Sequence, residues 1–354
     1  MNKHLKRDAQ DVVDNLGDAN QRFSGKTVLI TGAGGFLGCH FVHYLALLNE
    51  SGVFDEPVKI VASDNFIRGV PEWMSSIEGN VEIQKRDIIQ QKEFGAADFV
   101  IHAASIASPM YYRLHPLETM DANIQGLRNL LDYSIAHQFE SMLFFSSSEI
   151  YGDPDPAHIP TKETYRGYVS CTGPRACYDE SKRFGETLCV TFQQVHGTRI
   201  KTARPFNNYG PGLKITDRRV IPDFARDILE GRDIVMLSDG TATRTFCYIS
   251  DAITGYLLAL LSDQDGEAFN IGADGPEISM RDLASMLLKI SGSDRKVVFQ
   301  NSEDAHYLTD NPVRRCPDLT KARTILGYSP RIGLEEGLSR TMDYYRDFPT
   351  AAEA

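Results

Sequence analysis

Thr31-Gly32-Ala33-Gly34-Gly35-Phe36-Leu37-Gly38 follows directly on the β-branched run Thr27-Val28-Leu29-Ile30 and leads into an apolar segment reaching about Leu48. A short apolar run stopped by glycines reads as a buried strand, and the longer apolar segment after it as a helix. Gly32, Gly35 and Gly38 stand at GxxGxxG spacing; Gly32-x-Gly34 is also present, but Leu37 breaks a strict GxGxxG. Glycines here allow a tight turn, close approach of the backbone to a pyrophosphate, and close packing of helix on strand. The helix entered at Phe36 and Leu37 then offers free N–H groups and the positive end of its dipole to the phosphates. The stretch therefore predicts a dinucleotide site between a first strand and a first helix.

The neighbouring sequence fits that reading. A second strand over 58–62 ends in Ser63-Asp64-Asn65. An acid at this tip suits a bidentate grip on an adenosine ribose and repels a 2′-phosphate, which favours NAD over NADP. Arg68 nearby pulls the other way, and 49–57 reads as a polar loop insertion lengthening the span to Asp64. A third strand over 81–84 closes on Arg86-Asp87-Ile88, a candidate adenine contact. A fourth over 99–101 runs into His102-Ala103-Ala104-Ser105, whose small residues would let a dinucleotide lie close. Helical periodicity covers 117–137, and strands follow over 142–145 and 199–203.

This alternation predicts an α/β fold, a Rossmann-type doubly wound parallel sheet covered on both faces, over 26–210. Beyond Arg204-Pro205-Phe206-Asn207-Asn208-Tyr209-Gly210-Pro211 it fades. Helices over 220–229, 249–261, 280–290 and 334–345, with short strands between, read as a smaller, interleaved substrate-binding lobe over 211–345. Residues 1–25 form an N-terminal extension, an add-on helix or a mobile arm, and 346–354 a tail.

Composition narrows the function. The 354 residues carry a formal charge of −11, which argues against nucleic acid as a partner. The longest apolar runs are too short to span a bilayer, so no membrane role is expected. The first 25 residues lack the apolar core of a signal peptide. Six scattered cysteines without a CxxC pair read as reduced thiols of a cytoplasmic protein. His102 and His115 have no partner pattern and read as structural; no metal is expected.

Chemistry is concentrated in Tyr178-Asp179-Glu180-Ser181-Lys182. Residues four apart share a helix face. A tyrosine, with a pKa near about 10, is a poor base at neutral pH. An ammonium held beside it favours the phenolate, and the pair can then take a proton from a hydroxyl. Alone, YxxxK is a common chance pattern; downstream of a dinucleotide turn it reads as the base of a redox site.

Together, Gly32 to Gly38, Asp64-Asn65, His102 to Ser105, Tyr178 to Lys182 and Arg204 to Pro211 resemble the extended short-chain dehydrogenase/reductase family of nucleotide-sugar enzymes, in its order, from about Lys26 to about Tyr345. The resemblance implies NAD reduced and reoxidised within one turnover, a substrate that is a sugar on a nucleoside diphosphate, and a homodimer whose four-helix interface includes the Tyr-Lys helix. Within the family, 4,6-dehydratases carry Asp-Glu where this chain has Ser148-Glu149, and serine cannot easily replace an acid. The usual 4-epimerases have a small or apolar residue in place of Glu149. Ser148-Glu149 is similar to the UDP-glucuronate decarboxylases (UDP-xylose synthases).

Ala107-Ser108-Pro109 with Tyr112 is similar to that group's substrate loop, and Gly173-Pro174-Arg175-Ala176-Cys177 to its run into the Tyr-Lys helix. Asp217-Arg218-Arg219-Val220, Thr243-Arg244-Thr245-Phe246 and Arg314-Arg315-Cys316-Pro317-Asp318 resemble further family segments, although a basic residue is commoner at Cys316. The resemblance gives Tyr178 and Lys182 the proton of the sugar 4-hydroxyl, Ser148 a hydrogen bond to the same oxygen, and Glu149 with Arg315 the carboxylate and the proton at C5. Arg219 and Arg244 suit the diphosphate, since guanidinium forks grip phosphate oxygens bidentately. Asn207 suits the sugar or phosphate, and Pro109 and Tyr112 the substrate. A 4-epimerase or 4,6-dehydratase is the alternative; a non-catalytic NAD-sensing regulator is a remote one, which the intact Tyr-Lys pair disfavours.

Overall fold

β1 (Thr27–Thr31), β2 (Lys59–Asp64), β3 (Val81–Lys85), β4 (Phe99–His102), β5 (Ser141–Phe145), β6 (Ile200–Pro205) and β7 (Ala268–Ile271) form one sheet in the computed structural model, which describes residues 1–77, 79–300, 309 and 311–348. Most of the expected tail, 349–354, lies outside the described residues. The strand order is β7-β6-β5-β4-β1-β2-β3, and every neighbouring pair runs parallel. The order reverses between β1 and β4, and ligand crevices of such sheets open outside the strand C-termini at that switch point. Register lines up the residues there, with Thr31 facing Ser63 on one side and His102 on the other.

Alternation along β1 divides the core. Val28 and Ile30 enter one apolar cluster with α2 (Phe36–Glu50) and α6 (Ile249–Leu261); Leu29 enters another with α3 (Leu127–Ala136) and α4 (Ala176–His196). The sheet is thus covered on both faces. The remaining long helices are α1 (Lys3–Leu16), α5 (Val220–Leu229), α7 (Met280–Ser291) and α8 (Leu334–Asp347). Short strands stabilise the C-terminal part: Thr243–Arg244 pairs with Ile278–Ser279 and, in parallel, with Arg314–Arg315.

Two glycines of the opening turn are sterically forced. Gly32 has φ +73°, and a Cβ there would lie 2.6 Å from the carbonyl carbon of Ala103. At Gly38 a Cβ would lie 2.3 Å from the Gly32 carbonyl oxygen and 2.6 Å from Ala33 Cα. Turn, helix and β4 therefore meet at backbone distance.

Some expectations change. β7 is an edge strand of the main sheet, where the sequence placed only part of a separate lobe. Its apolar run is broken by Asn270, which the fold buries and satisfies through Tyr151 Oη (2.7 Å) and the carbonyls of Thr161 (2.9 Å) and Asp318 (3.2 Å). The single helix expected over 117–137 is a short helix Pro116–Asp121, a π-helical turn Ala122–Gly126, and α3. The N-terminal extension is not a mobile arm. Asn2 caps α1 by accepting from His4 N at 2.8 Å, and Leu5, Ala9, Val12 and Leu16 are buried where α1 packs on α2 and α6.

Asp8 of α1 is fully buried and accepts a hydrogen bond from Tyr248 Oη at 2.8 Å. Burial pushes its carboxyl up from 3.8 to about 7, although Tyr248, Arg7 and Arg340 pull it down. The folded protein therefore keeps a proton that the unfolded chain has lost, so Asp8 makes stability fall as pH rises from about 4 to about 7 and leaves it level above. Asp8→Asn removes the titration and keeps an acceptor for Tyr248. Its melting temperature should exceed that of the wild type at pH 8, with the difference closing by pH 4; parallel curves across the window would refute the assignment.

Candidate active site

At the end of β2, beside the sheet's switch point, Asp64 leans over the glycine turn: Oδ2 accepts from Gly34 N at 3.0 Å and Oδ1 from Phe66 N at 2.7 Å. Burial pushes its carboxyl up against these bonds. α2 begins at Phe36 with Gly35 as its cap, so Phe36, Leu37 and Gly38 form the first helical turn beside Asp64. Asn65 turns inward on its own loop, accepting from Ile67 N at 3.0 Å, and Asp87 does the same for Ile89 N at 3.0 Å. Ile88 is buried against Gly126, and its carbonyl accepts from Asn129 Nδ2 at 2.9 Å, so its side chain serves the core rather than the crevice. Ala103 lies against Gly32 as described. His102 is held by Thr31 Oγ1 at 2.8 Å, and burial keeps it neutral.

α4 carries Tyr178 and Lys182 on one buried face, with Lys182 Nζ 5.7 Å from the centre of the Tyr178 ring. Nζ donates to the Phe145 carbonyl at 2.8 Å, fixing the lysine to the end of β5. Asn123, in the π-helical turn, donates to Ser181 Oγ (2.9 Å) and accepts from Ser105 Oγ (2.7 Å), tying α4 to the segment after β4. Burial outweighs the lowering expected from the lysine. Burial pushes Tyr178 up to about 12, opposed by a hydrogen bond with Ser147 and by the charge of Arg219. Burial also pushes Lys182 down to about 7. Desolvation disfavours each charged form, and Lys182 spends its hydrogen bond on a carbonyl.

The hydroxyl that meets Tyr178 is Ser147, not Ser148. Ser147 ends the extended segment after β5 and caps the 3-10 turn Ser148–Tyr151, accepting from Glu149 N at 3.2 Å. Ser148, the first residue of that turn, is buried. Tyr112 from the short helix Pro109–Leu114 stacks on Tyr178, centroids 4.9 Å apart and planes at 13°. Among the described residues its buried Oη has no hydrogen-bond partner, and Pro109 opens that helix.

Glu149 lies at the centre of an ionic cluster. Arg315 grips it with Nη1–Oε1 at 2.7 Å and Nη2–Oε2 at 2.6 Å, and Arg175 Nη2 bonds Oε2 as well. Burial would raise this carboxyl, but Arg175 and Arg315 overcome it and hold it at about 2. Arg175 also reaches Asp179 at 3.7 Å, joining the cluster to α4 at the residue next to Tyr178. Neither Arg175 nor Ser147 stood out in the sequence; both sit inside motifs whose neighbours did.

Two substrate-side expectations are altered. Arg244 donates to the backbone carbonyls of Thr243 (2.7 Å), Val313 (3.2 Å) and Pro312, so its fork is occupied by the segment that leads into Arg315. Burial, then repulsion from Arg315, lowers it to about 9. Asn207, in left-handed conformation (φ +43°), donates Nδ2 to the Thr245 carbonyl at 2.8 Å. Arg219 stands at the mouth with Nε 2.9 Å from Asp217, and Arg68 reaches the same carboxylate at 2.9 Å instead of facing the glycine turn. Among the described residues no His/Cys/Asp/Glu cluster could hold a metal ion, and no helix is long and apolar enough to cross a membrane.

The crevice thus joins a dinucleotide-shaped turn, an enclosed Tyr-Lys pair and an arginine-held carboxylate. Residues 28–272 match the NAD dependent epimerase/dehydratase family. UDP-glucuronic acid decarboxylase 6 of Arabidopsis thaliana is 34% identical over 333 residues, 92% of this chain and 91% of that protein. UDP-glucuronic acid decarboxylase 1 of Xenopus tropicalis is 34% identical over 326 residues, 91% of this chain and 72% of that protein. The crystal structure of UDP-glucuronic acid 4-epimerase from Bacillus cereus, in complex with UDP-glucuronic acid and NAD, aligns with a TM-score of 0.74 at 27% identity over 91% of this chain and 99% of that one. Fold, crevice and sequence agree: the chain belongs to the NAD dependent epimerase/dehydratase family, and NAD is its cofactor.

Proposed function

We propose that the protein decarboxylates UDP-glucuronate to UDP-xylose. The observation that carries this is the Glu149 carboxylate held between Arg175 and Arg315 within electrostatic reach of Tyr178. Two guanidiniums beside a hydroxyl-oxidising pair suit a sugar that bears its own carboxylate. The relatives named as UDP-glucuronic acid decarboxylases support the same reading. In this reading 26–210 hold the cofactor and 211–345 mainly the substrate.

The close approach of Gly32 to Ala103 and the tip carboxylate of Asp64 fit a dinucleotide. Bound NAD supplies a reversible acceptor for the hydrogen on C4. Tyr178 takes the proton of the 4-hydroxyl, while Ser147 donates a hydrogen bond to the same oxygen. The ketone at C4 stands β to the C5 carboxylate, so the bond from C5 to that carbon can break. Its electron pair passes into an enolate at C4–C5, and CO2 leaves. Tyr178 and Ser147 stabilise the enolate oxygen. C5 then takes a proton from water, and Tyr178 returns its proton to O4 as C4 is reduced. Glu149, ionised between two arginines, orients them and is not the proton donor.

The test is to incubate the NAD-loaded protein with UDP-glucuronate and follow CO2 and the nucleotide sugar by mass spectrometry. A product lighter by one CO2 is expected; an epimer of unchanged mass would overturn the proposal in favour of the 4-epimerase reading.

Tyr178→Phe should lower kcat by roughly 10²–10⁴-fold with NAD still bound. Ser147→Ala should lower kcat more than Ser148→Ala does; the reverse order would return the role to Ser148.

The proposal extends to a cytoplasmic homodimer. Exposed apolar side chains stand on α3 and α4, among them Ile135 and, on one face of α4, Phe184 and Val195, and exposed apolar surface suits a partner. Phe184→Glu should halve the mass seen by light scattering, and an unchanged mass would place the interface elsewhere.

A further inference from the structure

Asp217 is buried at the crevice mouth, between the loop that follows Asp64 and the start of α5. Three segments meet on it. Oδ1 accepts from Arg68 Nη1 at 2.9 Å, from the cofactor side. Oδ2 lies 2.9 Å from Arg219 Nε, from the substrate side. Its backbone carbonyl accepts from Ser108 Oγ at 2.9 Å, just before the helix whose Tyr112 stacks on Tyr178. Arg68 also covers the Tyr111 ring at 4.6 Å, and Lys214 Nζ donates to the Arg68 carbonyl at 3.2 Å.

The backbone turns sharply at Asp217. Its N–H closes a turn on the Lys214 carbonyl at 3.0 Å, and the next residue, Arg218, takes a left-handed φ of +60°. A side-chain-bearing residue persists in that region only where its surroundings fix it. The charged and titratable groups that bear on Asp217 are Arg68, Arg219, Lys214 and Tyr345.

We infer that Asp217 is a positioning residue that couples the two halves of the crevice: through it the cofactor-side Arg68 holds Arg219 ready for the diphosphate of the nucleotide sugar. The inference rests on the nucleotide-sugar reading above and deepens it. Arg68 is distant in sequence from Arg219 and is partly exposed, yet the two guanidiniums share one buried carboxylate. A change at Arg68 therefore propagates to the substrate arginine. Without Asp217, Arg219 loses its fixed partner and must be ordered anew by each ligand, which weakens binding.

The experiment titrates UDP calorimetrically into the NAD-loaded protein and its Asp217→Asn, Arg68→Gln and doubly substituted variants. Asp217→Asn should weaken UDP binding by about tenfold, the scale of a coupling between neighbouring sites, and Arg68→Gln should weaken it severalfold. The double variant should bind no more weakly than Asp217→Asn alone, since both changes break one link. KM for UDP-glucuronate in Arg68→Gln should rise by the same factor as the UDP dissociation constant, with a smaller fall in kcat. Unchanged UDP affinity in Arg68→Gln, or fully additive losses in the double variant, would overturn the coupling. Arg68→Gln changes a partly exposed side chain, so this arm stands even if Asp217→Asn fails to fold. A wild-type protein that does not bind UDP would instead overturn the substrate reading itself, and this inference with it.

Discussion

Glu149 cannot be buried alone. Removing a carboxylate from water costs several kcal/mol unless partners replace the lost hydration, and here the partners come from well-separated parts of the chain. Arg315 arrives on a two-residue strand in the C-terminal half, Arg175 at the entry of α4, and Glu149 itself in the turn after β5. The ion cluster therefore does what a covalent staple would do. It fixes the strand end that presents Ser147, the helix that presents Tyr178 and the strand that presents Arg315 in one arrangement. Arg244 extends it by holding the approach to Arg315 through backbone carbonyls.

The same desolvation shapes the Tyr-Lys pair. Burial raises the phenol and lowers the ammonium, so each is driven toward its neutral form. The groups that favour the phenolate are the Ser147 hydroxyl and the positive charge of Arg219, which belongs to the substrate side. The basicity of Tyr178 is thus tied to the Ser147 hydroxyl and to Arg219.

The parts of the fold legible in the sequence are those with short-range signatures. The glycine turn is dictated by contacts of a few residues, and β1, β4 and β5 are apolar because both sheet faces are covered. β7 was hidden because Asn270 interrupts its pattern, and only the distant Tyr151, Thr161 and Asp318 make that asparagine acceptable. The periodicity of α1 was visible, but not the faces of α2 and α6 that it covers. The candidate site was legible by type more than by atom. Ser147 and Ser148 are chemically identical neighbours, and only the passage from strand to 3-10 turn decides which hydroxyl meets Tyr178. Arg244 read as a phosphate ligand because its type permits it; the carbonyls that occupy its fork lie about seventy residues away in the chain. Local pattern names the chemistry, and long-range packing selects the atom.

Charge then bears on substrate choice. Arg244 is lowered by burial and, next, by repulsion from Arg315, while Glu149 works in the opposite direction. One carboxylate already mediates between these guanidiniums, and its own partners leave it ionised at any ordinary pH. A neutral sugar would displace water from around the arginines and return no charge to them, so their desolvation would go uncompensated. In the proposed reaction a uronic acid would bring a second carboxylate to the same guanidiniums and relieve the repulsion there. Once that carboxylate has left as CO2, the relief is lost. On the proposed function the cluster would therefore favour the acid over the decarboxylated sugar, steering the site toward binding its substrate and releasing its product.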